Sequence, residues 1–329
     1  MAKINANYDK LATGYLFPEI ARRTGAFLES HPGVEVMRLG IGDTTEPIVP
    51  AVLEGLRLGV DKLGKVETYS GYGASEGIDP LREAIAAQYR EHGAEVNANE
   101  IFVSDGAKSD SANIQGIFAT ASVVAVQDPA YPVYVDSNVI AGRTGNPTDG
   151  AYEGLVYMPC TEENGFFPAV PEEKVDLIYL CSPNNPTGAV ATKEQLATFV
   201  EYARVHQAVI IYDSAYAAYI TSPDIPRSIF EIAGARECAI EINSFSSHQS
   251  ASGFNDHSYR RCHLFRRTGP TQGNTPGQTI FCLRFGYRLL SGTIPKAHPK
   301  RFDCRCHCVG GVHAATRAWA RYRSLLDLK

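Results

Sequence analysis

The chain has 329 residues, 44% of them hydrophobic and 20% charged, with a formal net charge of −5. This length excludes a small module, and the composition gives enough apolar material for one large α/β domain, alone or with a smaller segment beside it. No run of about 18 apolar residues occurs, which predicts no membrane-spanning helix, and the first residues lack the basic and apolar regions of a secretory signal.

From about residue 35 to 246, short apolar runs rich in β-branched residues alternate with segments of helical period. The first readable helix has Asp79 as its expected N-cap, Pro80 at the first position, Leu81, Ile85 and Tyr89 on one face, and Gly93 as its stop. Strands are predicted at Ile101–Ser104, Val123–Gln127, Leu177–Cys181, Val209–Asp213 and Ala239–Asn243. A helical segment is predicted over Ser111–Phe118, and another begins near Thr192 and runs through Leu196, Phe199 and Tyr202. The strands are too apolar to leave one face in water, so the expected fold class is α/β, with a mostly parallel sheet covered on both faces by helices. Ligands of such sheets sit at the carboxyl ends of the strands.

Those ends carry the polar residues. Ile101–Ser104 leads into Asp105-Gly-Ala-Lys-Ser-Asp110, where the start of a helix favours a phosphate, although a solvated turn has the same composition. Asp128-Pro-Ala-Tyr-Pro132 places Tyr131 on a turn stiffened by two prolines, where an aromatic ring can stack on a cofactor or simply pack. Cys181-Ser-Pro-Asn-Asn-Pro-Thr-Gly188 is more specific: two Asn and two Pro directly after a buried strand make a turn whose amides point into the strand-end crevice. Ile210-Ile-Tyr-Asp213 ends a strand in a carboxylate, with Tyr216 three residues on. A buried Asp needs a cationic partner, which a protonated pyridine nitrogen supplies. Ser244 and Ser246 add hydroxyls suited to a phosphate.

Together these motifs resemble the fold-type I pyridoxal-phosphate (PLP) enzymes of the aspartate aminotransferase superfamily. The segments Gly14–Arg23, Arg38–Pro47, Tyr69–Gly77, Ser104–Asp110, Ser182–Gly188 and Asp213–Tyr219 are similar to the LL-diaminopimelate aminotransferase family, over roughly residues 5–246. The resemblance implies a cofactor site of Tyr72, Ala107, Lys108, Tyr131, Asn185, Asp213, Tyr216, Ser244 and Ser246, with Tyr72 reaching the phosphate of a neighbouring subunit. It implies substrate contacts from Tyr15, Gly42, Lys108, Tyr131 and Asn185. It further implies a homodimer that moves an amino group between LL-2,6-diaminopimelate and 2-oxoglutarate, giving tetrahydrodipicolinate and glutamate in lysine biosynthesis. Another class I or II aminotransferase, a PLP-dependent lyase, and a non-catalytic protein that binds a partner remain as alternatives.

The pattern then breaks. The run Glu241-Ile-Asn-Ser-Phe-Ser246 leads, in the family, to the lysine that binds PLP covalently, and here the next residue is Ser247. A serine hydroxyl forms no imine and is a poor general base at neutral pH, so no residue of the chain is expected to act as the catalytic lysine. Lys108 lies at the expected phosphate and is no replacement. The family's phosphate-gripping Arg falls, by spacing, at Asn255.

The charge changes at the same point. Residues 1–247 hold 17 Lys and Arg against 33 Asp and Glu, whereas residues 248–329 hold 14 Lys and Arg against 3 Asp and no Glu. Six of the nine His and five of the eight Cys also fall there. An out-of-frame segment explains a change that begins within a motif; a functional tail and a genuine splice variant or pseudoenzyme are the alternatives. Cys304-Arg-Cys-His-Cys308, with Cys262 and His263, lacks the paired spacing of a zinc site, and no recognisable nucleic-acid-binding fold accompanies the basic residues. The expected organisation is therefore an N-terminal arm and small-domain part (1–45), an incomplete PLP-binding large domain (46–247) and a basic tail (248–329). On the out-of-frame reading, residues from about 248 on are expected to pack poorly, with a short stretch such as Thr279–Leu290 still able to take strand or helix form, and the sheet loses strand neighbours and exposes apolar edges. The three scattered Cys before the tail fit no disulfide framework and suit a reducing cytoplasm, or a plastid in a plant or alga.

Overall fold

The computed structural model describes residues 2–11, 16–37, 47–245 and 279–283. In chain order its elements are α1 (Leu16–Ser30), α2 (Pro50–Leu63), α3 (Asp79–Glu91), β1 (Ile101–Ser104), α4 (Ala107–Asn113), β2 (Val124–Asp128), α5 (Pro132–Ile140), the short pair β3 (Pro147–Thr148) and β4 (Ala151–Tyr152), β5 (Leu155–Pro159), β6 (Leu177–Cys181), α6 (Lys193–His206), β7 (Val209–Asp213), β8 (Ala239–Ser244) and β9 (Thr279–Leu283). The main sheet has seven strands in the order β1-β9-β8-β7-β6-β2-β5. Strands β5, β2, β6, β7 and β8 are parallel, and β9 runs antiparallel to both β8 and β1.

Every residue of β6 and β7 is buried, which is why both read as unbroken apolar runs. Alternation along the strands divides the core in two. Ile178, Leu180, Ile210 and Tyr212 meet Ile85 and Tyr89 of α3 and Leu196 and Phe199 of α6 on one face. Leu177, Tyr179, Val209 and Ile211 meet Tyr134 and Val139 of α5 on the other. The helix α6 begins where the sequence predicted: Thr192 accepts from the Gln195 backbone N–H at 3.2 Å while Gln195 Oε1 accepts from the Thr192 N–H at 2.9 Å. Such a capping box is worth about 1 kcal/mol.

Several boundaries differ from expectation. Helix α3 starts at Asp79, so Ile78 is the N-cap and Asp79 lies in the first turn, where its charge favours the helix dipole and pairs with Arg82. Gly93 does end this helix, with φ +81°. Strand β2 is shifted by one residue. Helix α4 starts at Ala107, four residues before the predicted segment, and passes into a 3-10 turn at Ile114–Ile117. The sheet-edge strand β5 was missed because Leu-Val-Tyr-Met-Pro ends in proline and is only partly buried. Thr279–Leu283 pairs antiparallel with both β8 and β1.

Candidate functional site

The strand register gathers the site. Cys181 pairs with Asp213 and Asp213 with Ile242, while Ser104 and Ser244 are both level with Thr279. The carboxyl ends of β1, β8, β7 and β6 therefore lie along one edge, each followed by a polar turn.

Asp213 is the centre of that edge. Its position in β7 aims it at the α5 face, and it is 7% exposed. The Tyr134 hydroxyl donates to its Oδ2 at 2.6 Å and the Ala215 N–H to its Oδ1 at 3.0 Å. Burial pushes the carboxyl above its ordinary range, and those two donors oppose the rise. No Lys or Arg forms an ion pair with it among the described residues. A buried carboxylate held by neutral donors still lacks a countercharge, which a protonated pyridine nitrogen would offer.

Around it the expected residues converge. Asn185 Nδ2 lies 3.5 Å from the Tyr216 hydroxyl. Burial raises that hydroxyl's pKa, and the nearby titratable groups of Cys181, Asp213 and Tyr131 raise it further. Tyr131 meets Tyr134 edge-on at 5.8 Å, and Tyr134 stacks on Tyr179 at 5.0 Å, giving an aromatic wall behind Asp213. Tyr131, Asn185, Asp213 and Tyr216 are thus brought to one place. Tyr134 was not anticipated, although it lies in the first turn of α5, three residues after Tyr131 at the N-cap.

The opposite end, expected to take a phosphate, is more mixed. Ala107 packs on the core and Lys108 is exposed at the start of α4, its charge bearing on Asp136 of α5. Ser244 is buried at the end of β8. Two acids crowd the same turn: Asp110 accepts from Ser104 Oγ at 2.5 Å and lies near Asp105. Tyr72 is fully exposed between α2 and α3. Tyr15, Gly42, Ser246, Ser247, Asn255 and the Cys304–Cys308 cluster lie outside the described residues, as does nearly all of 248–329. No helix among the described residues is long and apolar enough to cross a membrane.

Burial pushes the Asp110 carboxyl from 3.8 up to about 6; the Ser104 hydroxyl opposes this and Asp105 adds to it. A raised folded-state value means the carboxyl's contribution is full below about pH 4 and is lost as pH rises through 6. Asp110→Asn keeps an acceptor for Ser104 and removes the titration. Urea unfolding should therefore show the parent chain losing about 1 kcal/mol more than this variant between pH 5 and 7.5. Equal losses would mean that Asp110 titrates normally.

The residues at the pyridine end fit PLP; those at the phosphate end fit it with little positive charge among the described residues. The profile of the family Aminotransferase class I and II matches residues 34–254. Among solved structures, the chain is similar to the L,L-diaminopimelate aminotransferase from Chlamydomonas reinhardtii, with 42% identity and a TM-score of 0.73 over 87% of this chain and 66% of that one. It is also similar to an aromatic aminotransferase from Pyrococcus horikoshii, with 25% identity and a TM-score of 0.58 over 78% and 61% of the two chains. A Thermus thermophilus aspartate aminotransferase double mutant shares the fold, with a TM-score of 0.65 at 20% identity over 86% and 65%. The chain spans just under two thirds of the length of each of these structures.

Proposed function

This chain belongs to the class I and II aminotransferase family, whose members are PLP-dependent transferases, and on that premise we propose that it binds PLP at the carboxyl edge of its sheet without a covalent bond to it. The observation that carries this reading is Asp213, a buried carboxylate held by Tyr134 and the Ala215 N–H and paired with no Lys or Arg among the described residues.

In this reading Asp213 holds the proton on the ring nitrogen, Asn185 and Tyr216 hold the phenolic oxygen, and Tyr131 covers the ring. Ala107, Lys108, Ser244 and Ser246 surround the phosphate, with Tyr72 supplied across a homodimer. When bound, PLP supplies the electron sink for bond breaking at an amino-bearing carbon. The substrates that fit the 42% identity with the algal enzyme are LL-2,6-diaminopimelate and 2-oxoglutarate, contacted by Tyr15, Gly42, Lys108, Tyr131 and Asn185. In the same reading residues 1–45 form an N-terminal arm and small-domain part, 46–247 an incomplete cofactor domain and 248–329 a basic tail.

Ser247 sets the limit of the chemistry. With no amine there to tether the cofactor or carry a proton, transamination by this chain should be undetectable. Equilibrium dialysis with PLP, followed by a diaminopimelate–2-oxoglutarate transamination assay, tests both parts. Retained PLP without turnover is expected. No retention would remove the cofactor reading, and turnover would remove the assignment of Ser247 as the missing lysine. Co-purification of an active full-length homologue with this chain would favour the non-catalytic partner-binding role.

A further inference from the structure

Two residues expected to touch the cofactor, Asp213 and Tyr216, share one four-residue turn, and that turn is fastened on the far side of the sheet. Successive strand residues point to opposite faces, so Asp213 on the α5 face forces Ser214 to the α3–α6 face. Ser214 is fully buried there. Its hydroxyl donates to Glu241 Oε1 at 3.0 Å, and its N–H donates to the Ile242 carbonyl at 2.8 Å. The Ser214 carbonyl in turn accepts from the Ala217 N–H at 2.9 Å, closing the turn that carries Tyr216.

Glu241 interrupts the apolar sequence Ala239-Ile-Glu-Ile242 and is 0% exposed. Besides Ser214 it accepts from the Tyr89 hydroxyl at 2.7 Å, the Ser228 hydroxyl at 2.6 Å and the Ile229 N–H at 3.0 Å. No Lys or Arg pairs with it among the described residues. Burial pushes its carboxyl upward and these four donors oppose that. An apolar residue would pack here without the cost of desolvating a carboxylate. What only a carboxylate supplies is four acceptor sites, which tie together α3, the Ser228–Ile229 turn, β8 and the turn after β7.

We propose that Glu241 and Ser214 form a positioning pair that holds the Asp213–Tyr216 turn in its cofactor-ready shape from the opposite face of the sheet. The pair touches neither cofactor nor substrate. The proposal rests on the cofactor reading for its consequence, though not for its geometry.

Ser214→Ala and Tyr89→Phe separate positioning from simple support. Each removes one hydroxyl donor from the same carboxylate oxygen, so each should cost the full chain a similar loss of stability. Only Ser214 belongs to the turn. Ser214→Ala is expected to weaken PLP binding about tenfold and to speed amide hydrogen exchange over residues 213–219, whereas Tyr89→Phe should leave both unchanged. Equal effects from the two variants, or no effect from Ser214→Ala, would overturn the pairing. If the parent chain retains no PLP, the cofactor reading falls, and the exchange comparison still decides whether Ser214 holds the turn.

Discussion

Asp213→Ala is expected to reduce PLP affinity by about 100-fold or more, while Asp213→Asn, tested without PLP at pH 7.5, should make the protein more stable. The opposite signs have one cause. Asp213 is buried, held by the Tyr134 hydroxyl and the Ala215 amide with no ion-pair partner among the described residues, and burial raises its carboxyl. A carboxyl whose folded value is raised favours folding at low pH, and that favour is lost as pH rises through the folded value. Asparagine removes this penalty and still accepts from Ala215. With PLP bound, the carboxylate gains a charged partner, and its removal leaves a buried cation unpaired, a loss of about 3–5 kcal/mol. Isothermal titration with PLP and urea unfolding of the unliganded protein measure the two halves. A stability loss in Asp213→Asn with unchanged affinity would mark Asp213 as structural.

Ser247→Lys is the second large effect. An amine on a four-carbon stem at that position is expected to capture PLP covalently, trapped by borohydride and located by peptide mass. The parent chain should yield no trapped cofactor at this position, because a hydroxyl forms no imine. The gain should also slow PLP dissociation, since release then requires breaking a bond. Capture at Lys108 in place of residue 247 would mean that the motif from Glu241 to Ser246 does not aim its next residue at the cofactor.

The parts of the fold that were legible are those where burial leaves a one-dimensional trace. Strands β6 and β7 are covered on both faces, so their apolar runs end where the strands end, at Cys181 and Asp213. The start of α6 was visible because Thr192 and Gln195 cap it through residues three apart. Asp79 misled because an aspartate before proline suits an N-cap and a first-turn charge equally well.

The site was legible where motifs are local. Asp213 ends the buried strand β7, and Asn185 lies in the turn after β6, whose last residue Cys181 the register pairs with Asp213. Tyr134 and Glu241 were not read as parts of the site, because their importance depends on partners 79 residues away in one case and 12 to 152 residues away in the other. A glutamate inside an otherwise apolar strand was nevertheless a signal. It shows where the sequence accepts a desolvation cost in return for hydrogen bonds in fixed directions.

The most direct measurement is to incubate the full chain with PLP, split the sample, and remove free cofactor by dialysis from one half with and from the other without prior borohydride reduction. Bound PLP in the unreduced half, and no cofactor attached to any lysine of the reduced and denatured half, is the predicted result. Absence of bound PLP in the unreduced half, or a reduced adduct on Lys108, would contradict non-covalent binding at the Asp213 edge.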